Sequence, residues 1–513
     1  MLFFRGSPVT PLSGPKRPSW IWGYNRMLIN GTSGDYFESW QKEFGDVYRL
    51  PTAAGAERTV IMDSRAIAYV LNTNGYNFTR YEGERNTIKR LLGGGILTVE
   101  GNDHKRHRKA MSPGFSIASI RFFTSIFLEA THKVKERWLS KLSDSKGNDI
   151  VLDVEHWMNA ISFESIGEAG FSHDFDCIND EVSVVGQVFS SLGATNGTLT
   201  AAIAVALQAF PIIASLPLAR NVAFDNLRNT MRDLINTMDR KTLGNDASDE
   251  RRSLVASIIK AENRNLSQEE VMAEANYYVV TCRIRDHFYD YGGPFRLYPE
   301  SVLKLTLAQW CLHELSINPH VQDKLRREIM MFPDATHEQL ATQMPYLNAV
   351  VQETLRTHPA VVENHRQAMK DDSIPLQRPI KLANGQSVDH IDVRAGMGVI
   401  IPIEAMNKSS AFWGPDSHEF KPERWLDEEL PKKVTEIQGF HHLLTFIDGP
   451  RNCIGKNFAV AEFKAVMSVL IRHFSFAPLT DGSDVRRVLT LVQRAKSKGH
   501  DGLLLRISRV ETE

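Results

Sequence analysis

The sequence has no long apolar run, no excess of charge of either sign and few cysteines. Lys and Arg number 60 against 61 Asp and Glu, so the formal net charge is −1 and nothing indicates nucleic acid as a partner. The cysteines are widely and irregularly spaced, which indicates neither a disulfide framework nor a zinc site and fits a reducing compartment. They are Cys177, Cys282, Cys311 and Cys453.

The N-terminus carries no apolar segment long enough to span a bilayer or to act as a signal peptide. Four apolar residues are followed at once by Arg5 and by prolines at positions 8, 11, 15 and 18. We therefore predict that residues 1–19 form a proline-rich hinge without an anchor. Residues 20–510 contain no low-complexity linker and no internal repeat, so we predict that they form one domain.

What is present is enough for a large core, because 42% of the 513 residues are hydrophobic. Apolar periodicity predicts helices over residues 117–141, 251–280, 305–330 and 346–357. Strands are predicted near 47–62 and 380–401, the latter following an Asn384-Gly385 turn signal. These patterns predict a mainly α fold with small β-sheets.

The most informative segment runs from Phe446 to Gly455 and reads F-x-x-G-x-R-x-C-x-G. Chance should produce this combination in only about one in ten thousand chains of this length. The glycines, Gly449 and Gly455, permit a tight turn and close approach to a flat ligand. Arg451 can pair with a carboxylate. Cys453 precedes an amphipathic helical pattern, and a helix N-terminus stabilises the thiolate that an axial haem ligand requires.

At these residues the sequence resembles the cytochrome P450 family of haem-thiolate monooxygenases, over about residues 20–507. The resemblance implies the mainly α cytochrome P450 fold, with Cys453 as the axial ligand of the haem iron. It also implies that one oxygen atom of O2 is inserted into an apolar organic substrate. Electrons would come from NADPH through a flavoprotein partner, NADPH–cytochrome P450 reductase.

A second motif supports the resemblance. Glu353 and Arg356 are three residues apart in a predicted helix, so they share a face and can pair. Residues 420–425 resemble the family motif whose arginine, here Arg424, joins that pair. The resemblance assigns these three residues to the scaffold of the haem pocket, and not to its chemistry.

The two haem propionates require cations. Arg451 is one candidate, and Arg366 matches another position of the family. His104 and Arg108 lie four residues apart in a segment that resembles the W-x-x-x-R helix, with His104 where tryptophan is common. By the same resemblance, Phe446 would lie against the thiolate side of the haem.

The central helix of the family starts as expected, with Ser267 as the N-cap and Glu270 at the capping-box position. It then departs from the family, which carries an A-G-x-[DE]-T-T motif that relays protons to bound dioxygen. Residues 281–304 contain Gly292-Gly293-Pro294 and a further proline, which cannot lie inside a continuous helix. The sequence therefore predicts an atypical insert here, either genuine or a retained intron.

Thr281, Asp286 and Thr306 are the remaining candidates for the acid and the alcohol. Because the motif is absent, two alternatives stay open. One is a haem-thiolate enzyme that uses peroxide or rearranges its substrate, and the other is a catalytically impaired isoform.

The resemblance also implies a location and a pocket. We expect a monomeric fungal protein of secondary or xenobiotic metabolism on the cytosolic face of the endoplasmic reticulum. Since no anchor is present, a cytoplasmic protein or an N-terminally truncated sequence is the alternative. The distal pocket would be lined near residues 81–99, 185–210 and 360–363 and by the broken central helix, and the apolar side chains there predict an apolar ligand.

Overall fold

The computed structural model describes residues 10–30, 33–145, 147–171, 178, 254, 266–267, 269–274, 303–427, 429–489 and 493–510. The first part of the chain contains α1 (Asn25–Asn30), α2 (Ser33–Phe44), β1 (Val47–Pro51), β2 (Glu57–Ile61), α3 (Ser64–Ala68), β3 (Phe78–Thr79), α4 (Glu82–Leu92), α5 (Gly101–Met111), α6 (Ile117–Asp144), β4 (Asp149–Asp153) and α7 (Val154–Phe171). A helical stretch also covers residues 269–274.

The remaining elements are α8 (Leu303–Ile317), α9 (Pro319–Met330), α10 (His337–Thr342), α11 (Pro345–Thr357), β5 (Asn364–Ala368), β6 (Asp372–Lys381), β7 (Ser387–Val393), β8 (Gly398–Ile401), α12 (Ile403–Lys408), α13 (Ser410–Trp413), α14 (Lys432–Thr435), α15 (Lys456–His473), β9 (Phe474–Ala477), β10 (Val485–Leu489), β11 (Gln493–Ser497) and β12 (Leu504–Arg509). The mainly α prediction with small sheets is confirmed. The prediction over 251–280 falls largely outside the described residues.

The longest described helix, α6, shows how the apolar pattern builds the core. Its N-cap is Ser116, whose side chain accepts a hydrogen bond from the backbone N–H of Ser119. Buried side chains then follow at helical spacing and face α15. Phe127 meets Phe458 of α15 edge to face, with the ring centroids 4.7 Å apart. This contact fixes α15, the helix that follows Cys453, against the core.

The β-structure forms four small sheets among the described residues. The largest has the strand order β1-β2-β8-β5-β3, in which only the β2–β8 pair is parallel. The order β4-β12-β9 makes a three-stranded antiparallel sheet, and β6-β7 and β10-β11 are antiparallel pairs. The predicted turn between β6 and β7 is confirmed, because Gly385 has a φ of +84° and donates to the carbonyl oxygen of Leu382 at 2.9 Å.

The described part of the proline-rich segment packs on these sheets. The backbone N–H of Arg49 donates to the carbonyl oxygen of Ser13 at 2.9 Å. The guanidinium group of Arg17 donates to the carbonyl oxygens of Thr52 and Gly55 at 2.9 and 3.0 Å. Residues 10–17 are thus bonded to the β1–β2 region, and the hinge assignment of residues 1–19 stays a prediction.

Candidate active site

The loop that contains Cys453 is built on the preceding aromatic residue. The backbone N–H of Cys453 donates to the carbonyl oxygen of Phe446 at 3.0 Å, which closes the loop. Phe446 is buried and meets the ring of Phe440 edge to face at 5.3 Å. Cys453 itself is 7% exposed. It lies two residues before Gly455, the N-cap of α15, and the helix predicted to follow the cysteine is confirmed.

The two glycines of the motif differ in whether a larger residue would fit in their place. Gly449 has a φ of +74°, and a Cβ there would lie 2.1 Å from the carbonyl oxygen of Leu71. The close neighbour of Gly449 is therefore the backbone of the π-helical turn Tyr69–Thr73. A Cβ on Gly455 would lie 3.6 Å from Phe115, which is an ordinary contact. Of these two glycines, only Gly449 has a steric need for glycine among the described atoms.

We expect Gly449→Ala to destabilise the fold by about 2 kcal/mol or more. The left-handed conformation alone costs an L-residue roughly 1–2 kcal/mol, and the clash with the Leu71 backbone adds to this. Gly45→Ala is the matched control, because Gly45 also has positive φ (+85°) but open space around it. Urea unfolding of both variants checks the prediction, and equal destabilisation would show that the Leu71 contact is irrelevant.

Helix α5 holds the cysteine loop from one side. The guanidinium group of Arg108 donates to the backbone carbonyl oxygen and to the side-chain oxygen of Asn452, the residue before Cys453. Four residues earlier, the hydroxyl of Tyr76 bonds Nδ1 of His104 at 3.1 Å. Of the two predicted residues on α5, Arg108 thus contacts the cysteine loop and His104 contacts Tyr76.

The predicted cations gather around His104. Burial, followed by the neighbouring charges of Arg451 and Arg108, lowers the pKa of His104 to about 3. Arg366, on β5, acts on His104 in the same direction and is 2% exposed. The imidazole is therefore neutral, and cationic side chains lie near it. The structure brings all four sequence-predicted residues into one region.

Arg451 carries a buried donor that no described residue uses. It pairs with Glu100 and lies over the ring of Tyr76, with 5.0 Å from guanidinium carbon to ring centroid. Glu100 also lies 3.6 Å from a guanidinium nitrogen of Arg85. The Nε of Arg451 is buried and has no hydrogen-bond partner among the described residues. A buried guanidinium with an unused donor suits the carboxylates of haem propionates.

A second buried cluster lies where α11 meets the segment 416–425. Arg356 forms two hydrogen bonds to the carboxylate of Glu353, at 2.8 and 2.7 Å. Arg424 donates to the same carboxylate at 3.0 Å, and the indole N–H of Trp425 does so at 2.8 Å. Glu353 and Arg356 have no exposed surface. The remaining donors of Arg356 bind carbonyl oxygens, including that of Ser417 at 2.5 Å.

Only some of the residues predicted for the central helix and the distal side lie among the described residues. The predicted capping box is confirmed: the backbone N–H of Ser267 donates to Glu270 at 2.8 Å, and that of Glu270 to the Ser267 hydroxyl at 3.3 Å. Thr306 is 6% exposed and lies on α8. Thr281 and Asp286 lie outside the described residues, as does the predicted insert except for residues 303–304, which belong to α8.

Sequence reasoning missed several partners of the predicted residues. Tyr76 contacts both His104 and Arg451, but no motif marks it. Glu100, four residues before His104 on the chain, could have been noted as an acidic partner for a nearby cation. Asn452 lies inside the cysteine motif at a position where the motif allows any residue. Its bond to Arg108 could therefore not be predicted from the sequence.

Comparisons with known proteins identify the family of this chain. The sequence model of the cytochrome P450 family matches residues 12–278 and 305–498. Cytochrome P450 monooxygenase claO of Ampulloclitocybe clavipes is 40% identical over 99% of this chain and 94% of its own length. Cytochrome P450 monooxygenase 205 of Postia placenta is 31% identical, over 95% and 90% respectively. The chain belongs to the cytochrome P450 family, and it is a haem-thiolate monooxygenase.

The family match also bears on the central region and on membranes. It stops at residue 278 and resumes at residue 305, an interval that contains the predicted insert. Within the described ranges, no single helix has both the length and the apolar character needed to cross a bilayer. One pair of consecutive segments has the length and composition of a membrane span only when the two are taken together: Gly101–Phe115 and Ile117–Asp144. The two segments are bent by 55° where they meet.

Proposed function

We propose that Cys453 ligates the haem iron and that Arg108, Arg366 and Arg451 hold the propionates beside a neutral His104. The observation that carries this proposal is the bond from Arg108 to Asn452, because it joins the cation cluster to the cysteine loop. Haem, when bound, supplies the iron at which O2 is activated. The unused Nε of Arg451 supports a carboxylate ligand at the same place.

The protein residues then have distinct roles in this proposal. Gly449 and the Phe446 carbonyl fix the loop, so that the Cys453 sulfur keeps one position. The guanidinium groups orient the cofactor through charge-assisted bonds. Glu353, Arg356 and Arg424 hold α11 on the segment 416–425 and act as scaffold.

The wider function in the proposal follows the family. The enzyme oxidises an apolar organic substrate and takes electrons from NADPH–cytochrome P450 reductase. It works as a monomer at the cytosolic face of the endoplasmic reticulum, in fungal secondary or xenobiotic metabolism. The fungal sources of the similar monooxygenases support the setting.

Replacing residues 281–304 should raise the share of NADPH electrons that reach product. The sequence places no acid–alcohol pair on the central helix, so proton delivery in the full chain should be poor and electrons should leave as peroxide. The replacement is a continuous helix that carries the family motif. The measurement is product and peroxide formed per NADPH, with purified reductase and a panel of apolar probe substrates.

Tightly coupled turnover by the full 513-residue chain would refute this prediction, and Thr281 or Thr306 would then be the relay residue. The break in the family match between residues 278 and 305 favours one second candidate, a peroxide-using enzyme. Product formed from hydrogen peroxide without reductase or NADPH would identify that alternative. A chain that binds haem but forms no product under either condition would be an impaired isoform.

A further inference from the structure

One buried carboxylate joins the start of the central helix to two other segments. Glu274, in the helical stretch 269–274, has no exposed surface. Its Oε1 accepts a hydrogen bond of 2.7 Å from the backbone N–H of Ile96. The same oxygen lies 2.7 Å from Nδ1 of His107 on α5. A single side-chain atom therefore links the central helix, α5 and the loop at residues 93–98.

Three further ionisable side chains, His107, Glu270 and Arg106, surround Glu274. Nε2 of His107 lies 3.1 Å from Glu270, so both ring nitrogens face carboxylates and an imidazolium satisfies both. Burial alone would lower the pKa of His107, but its hydrogen bonds to Glu274 and Glu270 outweigh this and the net shift is upward. Burial raises the pKa of Glu274, although His107 opposes it. Arg106 neutralises Glu270 through bonds of 3.0 and 2.6 Å.

The loop approaches the helix closely at a second point. Gly93 ends α4 with a φ of +101°, and a Cβ there would lie 2.8 Å from the Cβ of Ala273. Three residues on, Ile96 bonds Glu274. The backbone of the loop is thus in direct contact with the helix surface. No side chain separates the two at Gly93, so the loop's position depends on the contacts at these two points.

We propose that Glu274 is a positioning residue that fixes the loop 93–98 on the central helix and thereby sets the shape of the distal pocket. His107 holds Glu274 in place. The proposal rests on the proposed function, because the assignment of residues 81–99 to the pocket follows from the family resemblance. Glu274 then governs which ligands fit, through the backbone of Ile96.

Two substitutions at Glu274 test whether its hydrogen-bond acceptor is what holds the loop 93–98. Glu274→Gln keeps a carbonyl oxygen that can accept from Ile96 and from His107, whereas Glu274→Ala removes the acceptor. Because E274A removes the acceptor of this hydrogen bond, the Ile96 amide should exchange with solvent roughly tenfold faster in E274A and near the wild-type rate in E274Q. Hydrogen exchange of the peptide that spans residues 93–98 measures this. Glu274→Leu, which keeps the volume, repeats the test if E274A does not fold.

Ligand binding gives the second readout. The probes are imidazole and 4-phenylimidazole, titrated by absorption into the haem-loaded protein. The ratio of their Kd values should change at least about threefold in E274A and stay unchanged in E274Q. Unchanged exchange at residues 93–98 in E274A, or equal changes in E274Q and E274A, would overturn the proposal.

Glu314→Ala is the matched control. Glu314 is also a largely buried carboxyl group in the central region, on α8, and it lies 2.6 Å from Nε2 of His358. Its loss should leave exchange at residues 93–98 unchanged, and a matching acceleration would mean general loosening, which would also overturn the proposal. Failure of the proposed function would appear separately, as a wild-type protein without thiolate-ligated haem. The exchange experiment does not require haem, so it still tests whether Glu274 fixes the loop 93–98.

Discussion

Cys453→Ala should abolish the strongly red-shifted Soret band that the wild-type holoprotein gives when it is reduced and exposed to carbon monoxide. That band reports thiolate ligation of the iron, and we assign the thiolate to Cys453. The backbone bond from residue 453 to Phe446 does not need the sulfur, so the loop should persist in the variant. Spectra of equal amounts of both proteins check the prediction.

Cys311→Ala provides the control for this experiment. Cys311 lies on α8 with no exposed surface, and burial raises the pKa of its thiol to about 12. A protonated thiol is a poor metal ligand, so its loss should leave the band unchanged. A band that survives in C453A, or disappears in C311A, would show that the axial ligand is misassigned.

Glu353→Ala should lower soluble yield and haem content together, by destabilising the fold by about 3–5 kcal/mol. Removing this carboxylate leaves Arg356 buried without its counter-charge and also takes an acceptor from Arg424 and Trp425. Chemical unfolding of the variant, combined with a haem assay, measures both effects. A well-folded, haem-replete but inactive E353A would instead indicate a catalytic role.

The control is Glu338→Ala, which breaks an exposed ion pair with Arg121. The side chains of this pair are 64% and 59% exposed, respectively. Surface pairs contribute only about 0–1 kcal/mol because water screens them. E338A should therefore match the wild type in yield and haem content, and a large loss there would undermine the argument from burial.

Local patterns were the part of this molecule that sequence reasoning could predict. The Ser267–Glu270 capping box and the Glu353–Arg356 pair each need only a spacing of three residues, and both have the expected bonds. The Asn384-Gly385 turn is equally local. In each case the physics depends on neighbours along the chain, so no knowledge of the tertiary fold is needed.

Contacts between distant segments could not be predicted in this way. The sheet β4-β12-β9 pairs Asp153 with Leu504, and neither strand carries a signal for the other. The contacts of Tyr76 with His104 and of Glu274 with Ile96 each join segments that only the tertiary fold brings together. The tight turn at Gly449 was predicted and its positive φ confirms it, but its close contact with the backbone at Leu71 had no sequence signal.

The bond from Arg108 to Asn452 spans 344 residues of sequence. A contact of such high order closes a very long loop, and it needs both segments of the chain to be present. During synthesis, α5 leaves the ribosome long before its partner exists, and the chain must stay soluble in that interval. Completion of the pocket therefore waits for the C-terminal helix α15, and nascent chains that stop before residue 452 should be unable to retain cofactor. Slow release of the last part of the chain would expose unfinished protein to degradation.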